Sequence, residues 1–511
     1  MQGNRHHFLT HTGIYLVARG LPGLVAFLAI PIFSRLLTPL EYGRYALVVA
    51  AVGVINSLLF QWGRMSVVRY LPAYRDDLAA FKSTLVTTSM MLMAALGVVS
   101  LLLPLLPIGR EYRLLIFPSW ILLASQVAFE LASDYARADL RPWHVMRLQL
   151  ARSGAIVLLG SLLVWLGWGW WGPVGGMMGG SAIAVAVLSY GDWHGIRWQI
   201  DRPMLSRVAK YGVPLSLTVA LASVVFSSDR FLIAGFLGEA KAGVYSAAVD
   251  FTSQTLTLLL TVVNSAMFPL AVRALEDHGE EAARDQMRYN ASLLLGIGLP
   301  CVVAFSLLSP GIAHIFIGKD FRPIATNIIP LIALGAFLSG LKAYHFDAAF
   351  QFADRTLYQV WIILAAAVLN VVFNVIAIPR WGINGSAVAS VCAYVLSIGL
   401  TAVIGRRSFR VPFPVNSLLI VLASAGLMGL ALFPFRTHLG PIPFAGQVLL
   451  GGSVYALGLL TLNFLGVRDY VLNRWRSREG RTSEGVTSHE VGDRDCADHR
   501  ELMPLAVGEH P

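Results

Sequence analysis

At 511 residues the chain is long enough for about three soluble domains. Yet 56% of its residues are hydrophobic, 13% are charged and its mean hydropathy is +0.65, against roughly 25% charged residues in ordinary globular proteins. That composition excludes a soluble globular protein and specifies an all-α polytopic membrane protein. The net charge of +10 does not argue for nucleic acid, because the cations fall in short loops between apolar segments and not on one soluble face.

In chain order, a short polar arm (1–11) leads into fourteen apolar segments, each near the length of about 20 residues that crosses a bilayer. They cover 12–36, 43–62, 83–107, 113–133, 153–171, 174–191, 212–237, 243–268, 290–309, 325–350, 357–378, 383–405, 413–434 and 443–465. The arm carries no small-residue cleavage site, so the first segment is expected as a retained helix and not a removed signal. With the N-terminus placed inside, the inside loops hold nineteen Lys and Arg, from Arg64 to Arg410, and the outside loops seven. This asymmetry predicts cytoplasmic termini by the positive-inside rule.

Two echoes point to duplication. LLTPLEYGRYA after the first segment and FLGEAKAGVYS after the seventh align Gly43 with Gly243 and Tyr45 with Tyr245, an offset of 200. WGPVGG (171–176) and WGINGS (381–386) match at an offset of 210. Six helices per repeat is an even number, so the halves share one topology and are expected to be parallel repeats. The expected organisation is a first lobe over 12–191, a cytoplasmic linker over 192–211, a second lobe over 212–405, two further helices within 413–465 and a disordered cytoplasmic tail over 466–511. Gly175, Gly176, Gly179 and Gly180 in GGMMGG predict close helix packing and not a phosphate loop, since no strand precedes them.

The seventh and eighth segments carry polar stripes that lipid would not tolerate. Ser216, Ala220, Ser223, Ser227 and Arg230 recur at steps of four and three, one face of a helix. Asp250, Gln254, Thr257, Thr261 and Asn264 repeat that spacing over about 21 Å of helix. Unsatisfied polar groups cost several kcal/mol each in lipid, so the stripes must face protein or water. Arg19 and Lys342 fall in the inner halves of the first and tenth segments, one in each lobe. With Arg230 they are candidate cavity cations for a phosphate; for Arg19 the alternative is snorkelling to headgroups, and for Arg230 a static pair with Asp229 or Asp250. Ser223, Ser227, Gln254, Thr257, Thr261 and Asn264 are the candidate cavity polar residues. Asp229, Asp250 and Asp347 are candidates for ion coupling, the alternative being neutralisation of nearby cations. Asn370 and Asn374 read as helix glue, His345 as a buried histidine, and Gln61 and Glu130 as helix-end residues.

Three cysteines, Cys301, Cys392 and Cys496, form no disulfide framework or metal-ligand spacing. In the tail, Arg468, Arg474, Arg476, Arg478 and Arg481 suit anionic headgroups. The Asp493–Arg494–Asp495 run lacks the folded surroundings that glycosyl transfer requires. Every outside loop is short, which also weighs against an enzyme.

SRLLTPLEYGRYAL, RMSVVRYLPAY, and YGVP followed by SSDRFLIAGFLGEAKAGVYSAA resemble the polysaccharide-transporter, or oligosaccharide-lipid flippase, family of the multidrug/oligosaccharidyl-lipid/polysaccharide exporter superfamily. The resemblance covers roughly 12–465, and Gly43, Tyr45, Arg69, Pro214, Asp229, Arg230, Gly243 and Tyr245 carry it. It implies a two-lobed bundle that moves a polyprenyl-pyrophosphate-linked oligosaccharide, a surface polysaccharide precursor, across a bacterial inner membrane by alternating access. The expected partners are membrane lipid, that lipid-linked oligosaccharide, and glycan polymerase or other assembly proteins; no metal or cofactor is expected beyond H+ or Na+ as coupling ion. The alternative is an ion-coupled multidrug or cation exporter of the same superfamily.

Overall fold

A computed structural model of the chain describes residues 23–25, 27–105, 110–193, 195–353 and 355–469. Arg19 and the tail beyond Asp469 lie outside the described residues. The helices, in order, are α1 (Gly23–Leu36), α2 (Pro39–Leu59), α3 (Gln61–Tyr70), α4 (Leu78–Leu102), α5 (Arg110–Ala138), α6 (Pro142–Leu163), α7 (Trp171–Leu188), α8 (Arg202–Leu237), α9 (Glu239–Leu307), α10 (Ser309–Phe316), α11 (Arg322–Leu341), α12 (Ala348–Gln351), α13 (Thr356–Gly405), α14 (Val415–Leu432) and α15 (Pro441–Thr461). Eleven helical stretches among the described residues are long and apolar enough to cross a membrane.

Local chemistry sets the helix boundaries. The sequence Thr38-Pro39-Leu40-Glu41 builds a capping box at α2, with Pro39 in the first turn, where its missing N–H costs nothing. Glu41 Oε2 accepts from the Thr38 N–H at 2.9 Å. Straight, the 69 residues of α9 would reach about 100 Å, some three times the hydrocarbon thickness. The helix instead breaks at Gly279 (φ +82°), inside the predicted loop, and α13 breaks in the same way at Gly382 (φ +59°), a left-handed backbone that glycine adopts without strain. Boundaries differ from expectation at α6, which begins at Pro142, eleven residues before its predicted segment, and at α8. The predicted linker is helical from Arg202, capped by Asp201, and this first part of α8 packs Met204 and Val208 against Trp62 and Tyr135 of the first half.

Each half has apolar clusters of its own, around Leu122 and Val174 in the first and Leu260 and Phe337 in the second. The largest cluster is shared, joining Phe33, Leu37 and Tyr42 to Val244, Phe251 and Ile329. At its edge α2 and α9 cross backbone to backbone. A Cβ on Gly43 would lie 2.0 Å from the Glu239 carbonyl oxygen, and one on Gly243 would lie 2.0 Å from that of Pro39. Gly43 and Gly243 are 200 residues apart, as are Pro39 and Glu239, so the first sequence echo becomes a reciprocal contact, as a twofold relation between duplicated halves requires. Ser34 Oγ accepts from Gly318 N–H at 3.1 Å, Arg35 donates to the Ile315 carbonyl and Arg44 pairs with Glu239 at this same end.

The GGMMGG glycines do pack helices, but through a shifted set: Gly172, Gly176 and Gly180 meet α6 backbone, whereas Gly175 and Gly179 meet only Leu163 and Leu159 side chains. Exposed Trp165, Trp168 and Trp381 flank turns at the Gly43 end, and exposed Trp143, Trp198 and Trp361 flank the opposite one. These are the two levels at which interfacial aromatics anchor a membrane protein. The best apolar window of α15 is only 17% buried, against 50% for Lys319–Gln351, so α15 is peripheral. The compact body ends at Gly458; beyond it Asn463 Nδ2 donates to Asp469 at 2.7 Å.

Candidate functional site

The first predicted stripe stays on one face. Ser216, Ala220, Ser227 and Arg230 are buried along α8 and Ser223 is half-buried, with Ser223 Oγ 3.0 Å from Ser57 Oγ of α2. This face and α2 wall a central cavity of about 880 Å³ between the two halves, within the size range of ligand sites. Among the described residues its wall holds three cations, Arg64, Arg230 and Lys342, and three carboxylates, Glu130, Asp250 and Asp347.

Each cation meets a carboxylate. Arg230 Nη2 lies 2.5 Å from Asp250 Oδ1, and its guanidinium sits 5.5 Å from the Phe226 ring centroid, a cation–π contact. Toward the opposite end, Arg64 Nη1 donates to Glu130 at 2.5 Å and Arg64 Nε to Asp134 at 2.7 Å. Glu130 also accepts from Asn56 Nδ2 at 2.6 Å and Gln126 Nε2 at 3.0 Å. Lys342 Nζ lies 2.9 Å from both oxygens of Asp347, which also accepts from Gln359 Nε2 at 3.1 Å.

The last pair depends on backbone. Lys342–Phe346 forms a π-turn, with Asp347 N–H bonded to the Lys342 carbonyl at 2.9 Å. In an α-helix residues five apart point about 140° away from each other; the widened turn brings Lys342 and Asp347 to one face. The same turn buries His345 against Phe346 and Phe413.

A second chamber of about 250 Å³ lies within the second half, lined by Asp229, Tyr245, Ser253, Thr257, Ser390 and Tyr394 among others. Asp229 is 6% exposed and accepts from Tyr245 Oη (2.8 Å), Asn374 Nδ2 (2.8 Å) and Ser390 Oγ (2.6 Å). Asn370 backs this ring through Ser228 and Ser390. Among the described residues no cation lies within ion-pair distance of Asp229.

The second predicted stripe divides. Asp250 and Gln254 line the central cavity and Thr257 the second chamber. Thr261 Oγ1 lies 2.8 Å from Tyr344 Oη, and neither Thr261 nor Asn264 is on the central wall. The reason is that α9 leaves the seam partway along and continues against α11 of its own half. Sequence reasoning missed Arg64, Glu130, Gln126, Asn56 and Gln359. The available signal was Gln126, Glu130 and Asp134, a polar stripe at steps of four on the apolar α5.

This architecture matches two solved structures. The lipid II flippase MurJ in an inward closed conformation superposes with a TM-score of 0.73 at 13% identity, covering 89% of this chain and 99% of that one. An inward-facing multidrug resistance MATE family transporter of the MOP superfamily gives 0.62 at 17% identity, covering 77% and 97%. The fold is thus one that a lipid II flippase and a MATE family transporter share. Within it, the chain belongs to the polysaccharide biosynthesis protein family, whose model matches residues 32–326. Similar sequences include a protein of Haloferax volcanii designated a probable flippase, AglR, at 24% identity over 46% of this chain and 50% of that one. Another, from Shigella flexneri, carries the name O-antigen transporter, at 23% identity over 36% and 43%. The matches therefore span about half the length of these relatives or less.

Proposed function

We propose that this chain is a flippase that carries a polyprenyl-pyrophosphate-linked oligosaccharide, a surface polysaccharide precursor, across the inner membrane by alternating access. The observation that carries the reading is the central cavity between duplicated halves, with its three cations held by carboxylates at two depths. A pyrophosphate headgroup would take Arg64 and Lys342 over from Glu130 and Asp347, then pass to Arg230, while Ser223, Ser227 and Gln254 meet the sugars. Charge-assisted bonds to phosphate suit such an exchange, because phosphate and carboxylate compete for the same donors. Arg19 belongs to the same proposal by its place in the sequence. The family membership and the names of the relatives favour lipid-linked cargo over cationic drugs.

In this reading both termini are cytoplasmic, the Gly43 end faces outward and the crossing of α2 with α9 is the closed outer gate. Asp229, ringed by neutral donors, is the coupling acid that takes H+ or Na+, and assembly proteins such as a glycan polymerase receive the cargo outside. Deletion tests the whole reading: lipid-linked oligosaccharide should accumulate in the inner leaflet, and its accumulation at the outer face would overturn it.

A further inference from the structure

A second large cavity, of about 500 Å³, lies apart from the central one on the perimeter of the bundle. Its first-half wall comes from α2, α4 and α5, with Trp120 as floor, its indole N–H held by the Met93 carbonyl at 2.8 Å. Its second-half wall is Phe231, Ala234 and Gly235 of α8. Ile55, Val99 and Phe231 are exposed apolar residues on spanning helices, so the groove faces lipid.

Two observations define an occupant. The groove follows α2 from Arg44 to Ile55, about 16 Å at the helical rise, which matches half of the roughly 30 Å hydrocarbon thickness, the depth of one leaflet. At its mouth, in the first turns of α2 and α9, stand Arg44 and Glu239, 2.8 Å apart with side chains 29% and 15% exposed. Among the described residues, one charge of each sign therefore lines an apolar slot one leaflet deep, at headgroup level. The substrate's polyprenyl tail would overrun such a slot.

We infer that this groove binds one acyl chain of a zwitterionic phospholipid, its phosphate toward Arg44 and its ammonium toward Glu239. An anionic lipid would set its phosphate against Glu239 with nothing to offer that carboxylate. Because the chain lies against both halves, its binding favours the arrangement in which Gly43 and Gly243 touch.

The full-length protein in phosphatidylethanolamine vesicles containing a photoreactive acyl chain provides the test, with labelled peptides mapped by mass spectrometry. Label is expected on 47–55 and 96–123 above the level on the exposed helix α15. A Cβ on Gly235 meets no atom within 4 Å, so Gly235→Phe fills the groove without a backbone clash. It should cut groove labelling about tenfold, the loss that two fewer buried methylene contacts produce, and leave α15 labelling unchanged. Ala51→Phe, from the opposite wall, should do the same. A photoreactive phosphatidylglycerol should label the groove less than the ethanolamine lipid. Wild-type label spread evenly over all lipid-facing helices, groove labelling that survives both substitutions, or equal labelling by the two headgroups would overturn the inference. Labelling is read without transport, so it stands or falls separately from the flippase reading.

Discussion

Asp250 and Asp229 lie on the two helices of one hairpin, only 21 positions apart, yet they occupy opposite electrostatic settings. Asp250 faces the central cavity and is met by Arg230. Asp229, one residue before that arginine, points to the other side of α8 and is held by a hydroxyl from Tyr245, another from Ser390 and the Asn374 amide. Each carboxylate on the central wall is thus paired with a cation, whereas among the described residues Asp229 of the second chamber is met by neutral donors alone. On the proposed function, cargo exchange belongs to the first and a small cation to the second.

The contrast is broken most strongly at Arg230. Removing one partner of a buried ion pair costs about 3–5 kcal/mol; with the Asp250 side chain 24% exposed to the cavity, Arg230→Ala should lose stability at or below the low end of that range and abolish transport. Adding Asp250→Asn should restore most of the stability and none of the transport; a stable single variant would show that the pair contributes nothing. Asp229→Asn comes next. A bound cation at a hundredfold excess over its Kd stabilises by about 2.7 kcal/mol, so the wild type should melt higher in sodium than in choline, or on acidification if the ion is H+. Asp229→Asn should lose that gain and Asp250→Asn keep it.

Tyr245→Phe removes one donor from Asp229, a loss of about 1.5–3 kcal/mol for a bond to a charged group. It should weaken the ion response without touching cavity labelling by a polar thiol reagent at Gln254→Cys in a cysteine-free background. The smallest effect belongs to Ser223→Ala, which deletes the hydroxyl contact with Ser57 across the seam. About 1 kcal/mol of stability should go, with transport largely retained in a cellular glycan assay.

Much of this arrangement is legible in the residues alone. The steps of four and three from Ser216 to Arg230 give the face of α8 that meets the first half, and the Gly43/Gly243 echo marks the crossing. Periodicity reports which residues share a face, however, not which neighbour that face meets. Hence the stripe from Asp250 to Asn264 reads as one surface, although the helix carries it from the central cavity to the second chamber and then to Tyr344. Asn370 and Asn374 read as glue for the same reason, since nothing in their i, i+4 spacing points to a carboxylate more than 140 positions earlier. Arg64 and Glu130 are hidden by topology: a charge near a helix end reads as a headgroup contact until the third dimension turns it inward.

The π-turn after α11 makes residue count, and not only residue type, a determinant of the cavity. Deleting Ala343 would return the segment to α-helical register with Lys342 and Asp347 only four positions apart, about 40° around the axis and still on one face. That deletion should therefore keep the pair, as should exchanging the two residues, Lys342→Asp with Asp347→Lys, whereas inserting one alanine after Ala343 should behave as the loss of the pair itself. A homologous chain one residue shorter between these positions would join the same two charges on an ordinary α-helix, with no π-turn.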